Sequence, residues 1–277
     1  MDVLISIDLE GVAGIATRQQ TLPGGRDYER ARVLMTAEAN AAVRGAFAAG
    51  ADTVLVTDSH GPADNLIAEQ LDPRARLVVG DPKPLDMLQG ISEKTDVVLF
   101  VGYHVGSADS FGVLAHTFSG GAFADVRLNG SSISEAKLNG LVAAEFGVPV
   151  GLVTGDEGIC NVAERVFPGV VCVPVKQAVG RTAALTMHPD TARTTVEEGA
   201  RRAVEAAASG SLRAALIPKT ILLEAEFRPN GAAEIVSLVP GTHRIDARTV
   251  QFRAESPRQA LDVIIVWSYL VGYFASR

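Results

Sequence analysis

The chain has 277 residues, of which 47% are hydrophobic and 21% are charged, and its formal net charge is −7 at neutral pH. This composition predicts a globular protein with a sizeable core, organised as one large domain or as a larger and a smaller one. The negative charge argues against a nucleic-acid-binding protein, which needs a basic face, and against docking on an anionic membrane.

Short apolar runs alternate with longer helical patterns through the first half of the chain. We predict strands at 3–7, 53–57, 77–79, 97–101 and 150–154, and helices at 28–49 and 135–146. The strands are continuous apolar runs, as expected when helices cover both faces of a parallel sheet. The sequence therefore predicts an α/β fold with a mostly parallel sheet flanked by helices.

The second half of the chain has a different pattern. A long helix at 191–208 precedes three predicted strands at 219–227, 233–239 and 249–254, and a last helix opens at Ser256-Pro257. We therefore predict a metal-binding α/β domain over residues 1–180 and a smaller α+β domain over residues 181–277. We see no internal repeat and no flexible linker.

We expect a cytoplasmic protein. The first residues lack the basic and apolar regions of a secretory signal. The most apolar segment, 261–274, contains Asp262 and is shorter than the ~20 residues that a membrane-spanning helix needs. Two cysteines, Cys160 and Cys172, are too few for a disulfide framework, and we expect them to be buried, reduced thiols.

Three of the predicted strands end in residues that bind metals. Asp8 and Glu10 close the first strand and project to one side of it, about 6–7 Å apart. His60 follows the second strand and His104 follows the fourth. Ligands of open α/β folds bind at the carboxyl ends of the strands, where the loops converge. Clustered carboxylates repel one another and need a cation, so the set indicates a metal site.

Each of these residues also has a purely structural interpretation. An Asp-x-Glu pair at a strand end can be a solvated loop or a helix cap, and a histidine there can simply be hydrogen-bonded. Asp58 either orients a neighbouring ligand or caps its turn. The occurrence of acids and histidines together at the strand ends favours the metal site. Two of the five histidines in the chain follow predicted strands, and acids lie at the ends of the neighbouring strands.

A third carboxylate, Glu135, follows a predicted hairpin at Asn129-Gly130. Three carboxylates and two neutral imidazoles carry more negative charge than one divalent ion neutralises. Two divalent ions together with one bridging hydroxide bring the total charge of the site to zero. A ligand set of imidazole and carboxylate without thiolate suits zinc best, with manganese or cobalt as alternatives.

Eight segments, in order along the chain, match a known sequence pattern. They are ISIDLEGVAGI, DYERARVLMTAEANAAVRGAF, VTDSHG, GDPKPLDML, VGYHVG and GVLAHTF, followed by PVKQAVGR and a closing PGT…TVQF. This ordered set resembles the zinc D-aminopeptidase family. One departure is the sequence SEAKLN around Glu135, where members of the family read GELGLN; the acid and the asparagine persist while their neighbours differ.

The resemblance implies two zinc ions per chain and short peptides as substrates. It implies a catalytic role for His116, and metal ligands at Asp8, Glu10, His60, His104 and Glu135. It also implies a homo-oligomeric ring, a decamer, that encloses its active sites. The family name implies D-amino acids, although none of these residues by itself fixes that stereochemistry.

On this interpretation one metal anchors the free α-amino group of the substrate and the other polarises the scissile carbonyl. We expect His116 to stabilise the oxyanion or to carry a proton to the leaving amine. A structural role for His116 is the alternative.

Two other functions remain open on the sequence. A strand that ends in Asp8-Leu9-Glu10 resembles the nucleophile loop of haloacid-dehalogenase-like phosphatases, but that interpretation leaves His60 and His104 unexplained. A non-catalytic metal- or peptide-binding protein is the other alternative, and it predicts bound metal without turnover.

Overall fold

The structure is a computed structural model that describes residues 1–275 and contains two β-sheets. The strands are β1 (Asp2–Ile7), β2 (Thr53–Asp58), β3 (Arg76–Val78), β4 (Val97–Tyr103), β5 (Phe123–Leu128), β6 (Ser131–Ser132), β7 (Val150–Asp156), β8 (Val171–Gly180), β9 (Ala183–Thr186), β10 (Ile221–Phe227), β11 (Thr242–Arg244) and β12 (Thr249–Ala254). The helices are α1 (Arg18–Thr21), α2 (Tyr28–Ala48), α3 (Glu135–Glu145), α4 (Glu157–Val166), α5 (Pro189–Ala208), α6 (Ala232–Val236) and α7 (Pro257–Ala275).

The first sheet has the strand order β3-β2-β1-β4-β7-β8-β9. Its neighbours are parallel except for β9, which pairs antiparallel with β8. Every residue of β4 is buried, and its side chains alternate between two apolar cores. One core holds α2 and α5, and the other holds α3, α7 and the second sheet. The predicted α/β fold with a mostly parallel sheet is confirmed.

The second sheet is antiparallel, with the order β11-β12-β10-β5-β6. Its strands come from 123–132 and from 221–254, while α5 packs on the first sheet. The second sheet therefore contains strands from before and from after residue 180. The predicted domain boundary at that residue stays a prediction. The predicted hairpin turn is present at Asn129 and Gly130, whose φ angles are +52° and +78°.

One predicted strand is wrong. Residues 233–239 begin in the short helix α6, which follows Gly231 at a φ of +80°. The buried positions are Ala232, Ala233 and Val236, a helical spacing that turns one side towards the core. A short apolar run is compatible with a strand or a helix by pattern alone, and here the left-handed turn at Gly231 and the packing select the helix.

Among the helices of the described residues, none combines the length and the apolar character that crossing a membrane would require. Cys160 is buried, as predicted, whereas Cys172 is only half-buried, and both are free thiols.

Candidate metal centre

Strand register brings the three predicted strand ends to one edge of the first sheet. Ile7 lies opposite Asp58 on β2 and opposite Val101 on β4. The chain holds this alignment beyond the strand, because the Asp8 backbone N–H donates to the Val101 carbonyl at 2.9 Å. Asp8, His60 and His104 therefore leave neighbouring strands at the same level.

Glycines allow the segment that carries the two acids to approach β4 closely. A β-carbon on Gly11 would lie 2.1 Å from the Tyr103 carbonyl oxygen, and one on Gly102 would lie 2.2 Å from the Asp8 carbonyl oxygen. Both contacts are with backbone, which cannot swing away as a side chain would. Glycine at these two positions therefore sets how near Asp8 lies to His104.

Asp8 lies between two histidines. Its Oδ1 is 3.3 Å from His60 Nδ1, and its Oδ2 is 3.2 Å from His104 Nε2. Glu10 Oε2 approaches His60 Nδ1 to 2.7 Å on one side, and Glu135 Oε2 lies 3.5 Å from His104 Nε2 on the other. All five predicted ligands are brought together, and all five are buried.

Backbone carbonyls fix which ring nitrogen of each histidine faces the acids. His60 Nε2 lies 2.7 Å from the Thr21 carbonyl oxygen, and His104 Nδ1 lies 2.9 Å from that of Val105. A carbonyl oxygen only accepts hydrogen bonds, so each of these nitrogens carries the proton. The remaining nitrogens, His60 Nδ1 and His104 Nε2, turn towards the carboxylates, the arrangement that orients metal-binding histidines.

The donor set fits divalent cations. Three of its buried atoms have no aligned hydrogen-bond partner: Asp8 Oδ2, Glu10 Oε2 and His104 Nε2. Buried polar atoms are rarely left without a partner, so their convergence calls for a cation. Within residues 1–275, two groups offer three ligand atoms within 4.8 Å of one another; one is Asp8, Glu10 and His104, and the other is His104, His116 and Glu135.

His116 lies beside this cluster and is more exposed than its other members. Its ring stacks on that of His104, with 4.1 Å between centroids and 13° between planes. Its Nδ1 donates to the Leu114 carbonyl at 2.8 Å, so Nε2 is the free nitrogen, 3.9 Å from Glu135 Oε1. His116 therefore turns Nε2 to the space next to Glu135.

The comparisons with known proteins agree with this geometry. The model of a family described as D-aminopeptidase matches residues 1–266. A D-aminopeptidase of Bacillus subtilis (strain 168) is 34% identical over 271 residues, which cover 98% of this chain and 97% of that protein. The chain belongs to the D-aminopeptidase family.

A solved structure has the same fold. It is described as the Zn-dependent D-aminopeptidase DppA from Bacillus subtilis, a self-compartmentalizing protease. It matches this D-aminopeptidase family member with a TM-score of 0.92 at 34% identity, over 98% of this chain and 97% of the other. The resemblance inferred from the sequence is thereby confirmed.

The electrostatics of the cluster favour a proton on each buried imidazole when no metal is bound. Burial alone would lower the pKa of His104 and His60, but Glu135 and Glu10, together with Asp8, raise both pKa values well above the ordinary range. Burial alone would likewise raise the pKa of Asp8, but the two histidines lower it. Metal and protons therefore compete for the same nitrogens.

Zinc binding is expected to release protons. At pH 7 His60 and His104 are both protonated in the metal-free protein, because their pKa values lie well above 6.5. A metal needs the neutral imidazole, so we expect about two protons to leave per chain and zinc affinity to rise with pH. Calorimetric titration in buffers of different ionisation enthalpy measures this number. A release near zero would contradict the raised pKa values.

A buried lysine that the sequence did not single out holds the segment bearing Glu10. Lys176, on β8, donates from Nζ to the carbonyl of Glu10 and, at 3.0 and 2.6 Å, to those of Val12 and Ile15. Burial lowers its pKa to about 8. The sequence PVKQAVGR contains this lysine. Only the fold shows that its side chain donates to the backbone of residues more than 160 positions away.

Asp58 orders the loop that follows β2. Its carboxylate accepts from the backbone N–H groups of Asn65 at 2.6 Å and Leu66 at 2.7 Å. The Asn65 side chain in turn donates to the Asp58 carboxylate at 2.8 Å and to the His60 carbonyl at 2.6 Å. Asp58 therefore caps its turn and, through Asn65, fixes the backbone of His60.

A cleft of about 530 Å³ opens onto the cluster. The wall of the cleft includes Asp8, Glu10, His60, His116 and Glu135, and the buried His104 lies behind them. Its volume falls in the range of small-molecule sites, about 300–1,000 Å³. The cluster is thus open to a short substrate on one side and sealed by the sheet on the other.

Proposed function

We propose that this chain is a zinc-dependent aminopeptidase that removes the N-terminal residue, preferably a D-residue, from short peptides. The observation that carries the proposal is the convergence of three carboxylates and two oriented imidazoles on one open cleft. The proposed ligands of two zinc ions are Asp8, Glu10, His60, His104 and Glu135. Membership of the D-aminopeptidase family and the fold shared with a Zn-dependent relative support it.

Each part of the proposed site has a role in hydrolysis. Zinc supplies Lewis acidity, which polarises a carbonyl and makes water nucleophilic at neutral pH. Asp8, Glu10 and Glu135 would hold the zinc ions and balance their charge, and the free α-amino group of a peptide would bind at one of these ions, so the site selects the N-terminus. His116 donates from Nδ1 to the Leu114 carbonyl, which leaves Nε2 to take a proton from the attacking water and to pass it to the departing amine.

Metal removal and replacement test this function. Chelation should abolish hydrolysis of D-alanyl-D-alanine, and zinc should restore it up to about two equivalents per chain. L-alanyl-L-alanine and a phosphate ester are the comparison substrates. Hydrolysis of the phosphate ester alone would point to the phosphatase alternative, and bound zinc without any turnover would point to a binding protein.

We further propose that the chain assembles into a homo-oligomeric ring, a decamer, in the cytoplasm. The self-compartmentalizing relative supports the assembly. Exposed apolar side chains such as Phe111, Leu216 and Leu238 offer surfaces for subunit contact. Sedimentation velocity of the purified protein measures the assembly, and a monomeric species at micromolar concentration would exclude it.

A further inference from the structure

The cleft that exposes the acidic cluster is also lined by arginines. Arg18, Arg181 and Arg228 share its wall with Glu10 and Glu135. Within the described residues 1–275, none of the three arginines lies within 4.0 Å of a carboxylate oxygen. Within the described residues, the cleft wall therefore carries three guanidinium groups that no carboxylate pairs with directly.

Two of these arginines are anchored in place. Arg181 donates from Nη2 to the Ala115 carbonyl at 3.0 Å, and Arg228 donates from Nε to the Phe123 carbonyl at 3.0 Å. The two carbonyls flank the segment that carries His116. No comparable anchor in the described part of the chain holds the Arg18 side chain. Arg181 and Arg228 are thus each held by a backbone carbonyl close in sequence to His116, and both line the cleft.

Fixed guanidinium groups suit a carboxylate ligand. The planar fork of arginine donates two parallel hydrogen bonds to a carboxylate, and partial anchoring lowers the entropy lost when they form. A short peptide is a zwitterion, with its ammonium at one end and its carboxylate at the other. The cleft offers a place for each end, with the proposed zinc site at Asp8, Glu10 and Glu135 for the free amino group and the two arginines for the carboxylate.

We propose that Arg181 and Arg228 form a subsite for the C-terminal carboxylate of a di- or tripeptide. This inference rests on the proposed aminopeptidase function and names its substrate class: short peptides with a free C-terminus. A dipeptide extends about 7 Å and a tripeptide about 10 Å. Each arginine is tethered by one hydrogen bond to the backbone, so we expect the subsite to favour peptides whose carboxylate reaches it over longer or C-terminally blocked ones.

The test compares D-alanyl-D-alanine with its C-terminal amide. For the zinc-loaded wild-type protein we expect kcat/KM to be about ten- to a hundredfold higher for the acid than for the amide. A difference of this size corresponds to one or two charge-assisted hydrogen bonds. In the double variant Arg181→Met/Arg228→Met this ratio should fall to near one, and each single variant should be intermediate. Arg202→Met, which removes an exposed arginine of α5, is the matched control and should keep the wild-type ratio.

Binding gives a second readout that does not depend on turnover. A dipeptide whose peptide bond is reduced to an amine is not hydrolysed, and its acid and amide forms can be titrated calorimetrically into wild-type and variant proteins. We expect the wild type to bind the acid more tightly by a similar factor, and the double variant to bind both forms alike.

The outcomes separate this inference from the proposed function. Equal hydrolysis of acid and amide by the wild type would overturn the carboxylate subsite while leaving the aminopeptidase intact. A double variant that keeps the full preference would also overturn it. Hydrolysis of neither peptide by the zinc-loaded wild type would instead remove the proposed function on which the inference rests.

Discussion

The Asp8→Asn variant is expected to lose zinc and turnover together. Asp8 is the residue that approaches both buried histidines, so ions held by His60 and by His104 would each have an Asp8 oxygen as a candidate ligand. Asparagine keeps the shape but removes the charge that offsets the cations. Substitution of a residue that only supports a metal ligand lowers affinity or activity by about 10–100-fold. We expect the substitution of a ligand shared by two ions to lower them by about 10³-fold or more.

Zinc content by elemental analysis and kcat/KM on a D-alanyl dipeptide are the two measurements for Asp8→Asn. Zinc should fall well below the wild-type content. Asp64→Asn is the matched control, because Asp64 lies exposed in the same loop as His60 and outside the cluster. Wild-type zinc content in Asp8→Asn, with wild-type turnover, would refute the assignment of Asp8 as a ligand.

The His116→Ala variant is expected to keep its zinc, unlike Asp8→Asn, while it also loses most of its turnover. Its Nε2 is the free nitrogen and lies 3.9 Å from Glu135 Oε1, at the edge of the cluster. A positioned general acid or base contributes about 10²–10⁴-fold, and we expect a loss of kcat of that size. Because His116 lines the cleft, added imidazole should restore part of the activity.

The same two measurements decide the role of His116, with His188→Ala as the control. His188 is exposed at the start of α5, and its loss should change neither zinc content nor kcat. The geometry places His116 within reach of a metal shared with His104 and Glu135. Loss of zinc from His116→Ala would therefore make it a ligand and end its assignment to proton transfer.

Much of the site was visible in the sequence because strands end where their apolar runs end. Asp8, His60 and His104 each follow a continuous apolar run, and the carboxyl ends of parallel strands meet at one edge. Glu135 was noted as a third acid after the predicted hairpin, and the family pattern added His116, which no periodicity would have selected. The structure brings all five proposed ligands together, and their assignment as ligands remains a proposal.

Other features were hidden because they depend on contacts between distant residues. The second sheet joins β5 to β10 across almost a hundred positions, which no local pattern reveals. Strand β8 contains Pro174 and Lys176, which interrupt an apolar run, so the sequence did not predict it. Residues 233–239 were predicted as a strand because a short apolar run does not distinguish the two structures.

The sequence by itself determined the α/β class, the strand ends, the chemistry of the proposed metal ligands and the family. These are properties of neighbouring residues, whose apolar periodicity and side-chain chemistry act over a few positions. Only the tertiary structure decided which imidazole nitrogen faces the acids, that Lys176 holds the Glu10 backbone, and that Arg181 and Arg228 enter the same cleft. The physical reason is that hydrogen bonding and charge act through space, and the fold alone sets which distant groups lie within their range.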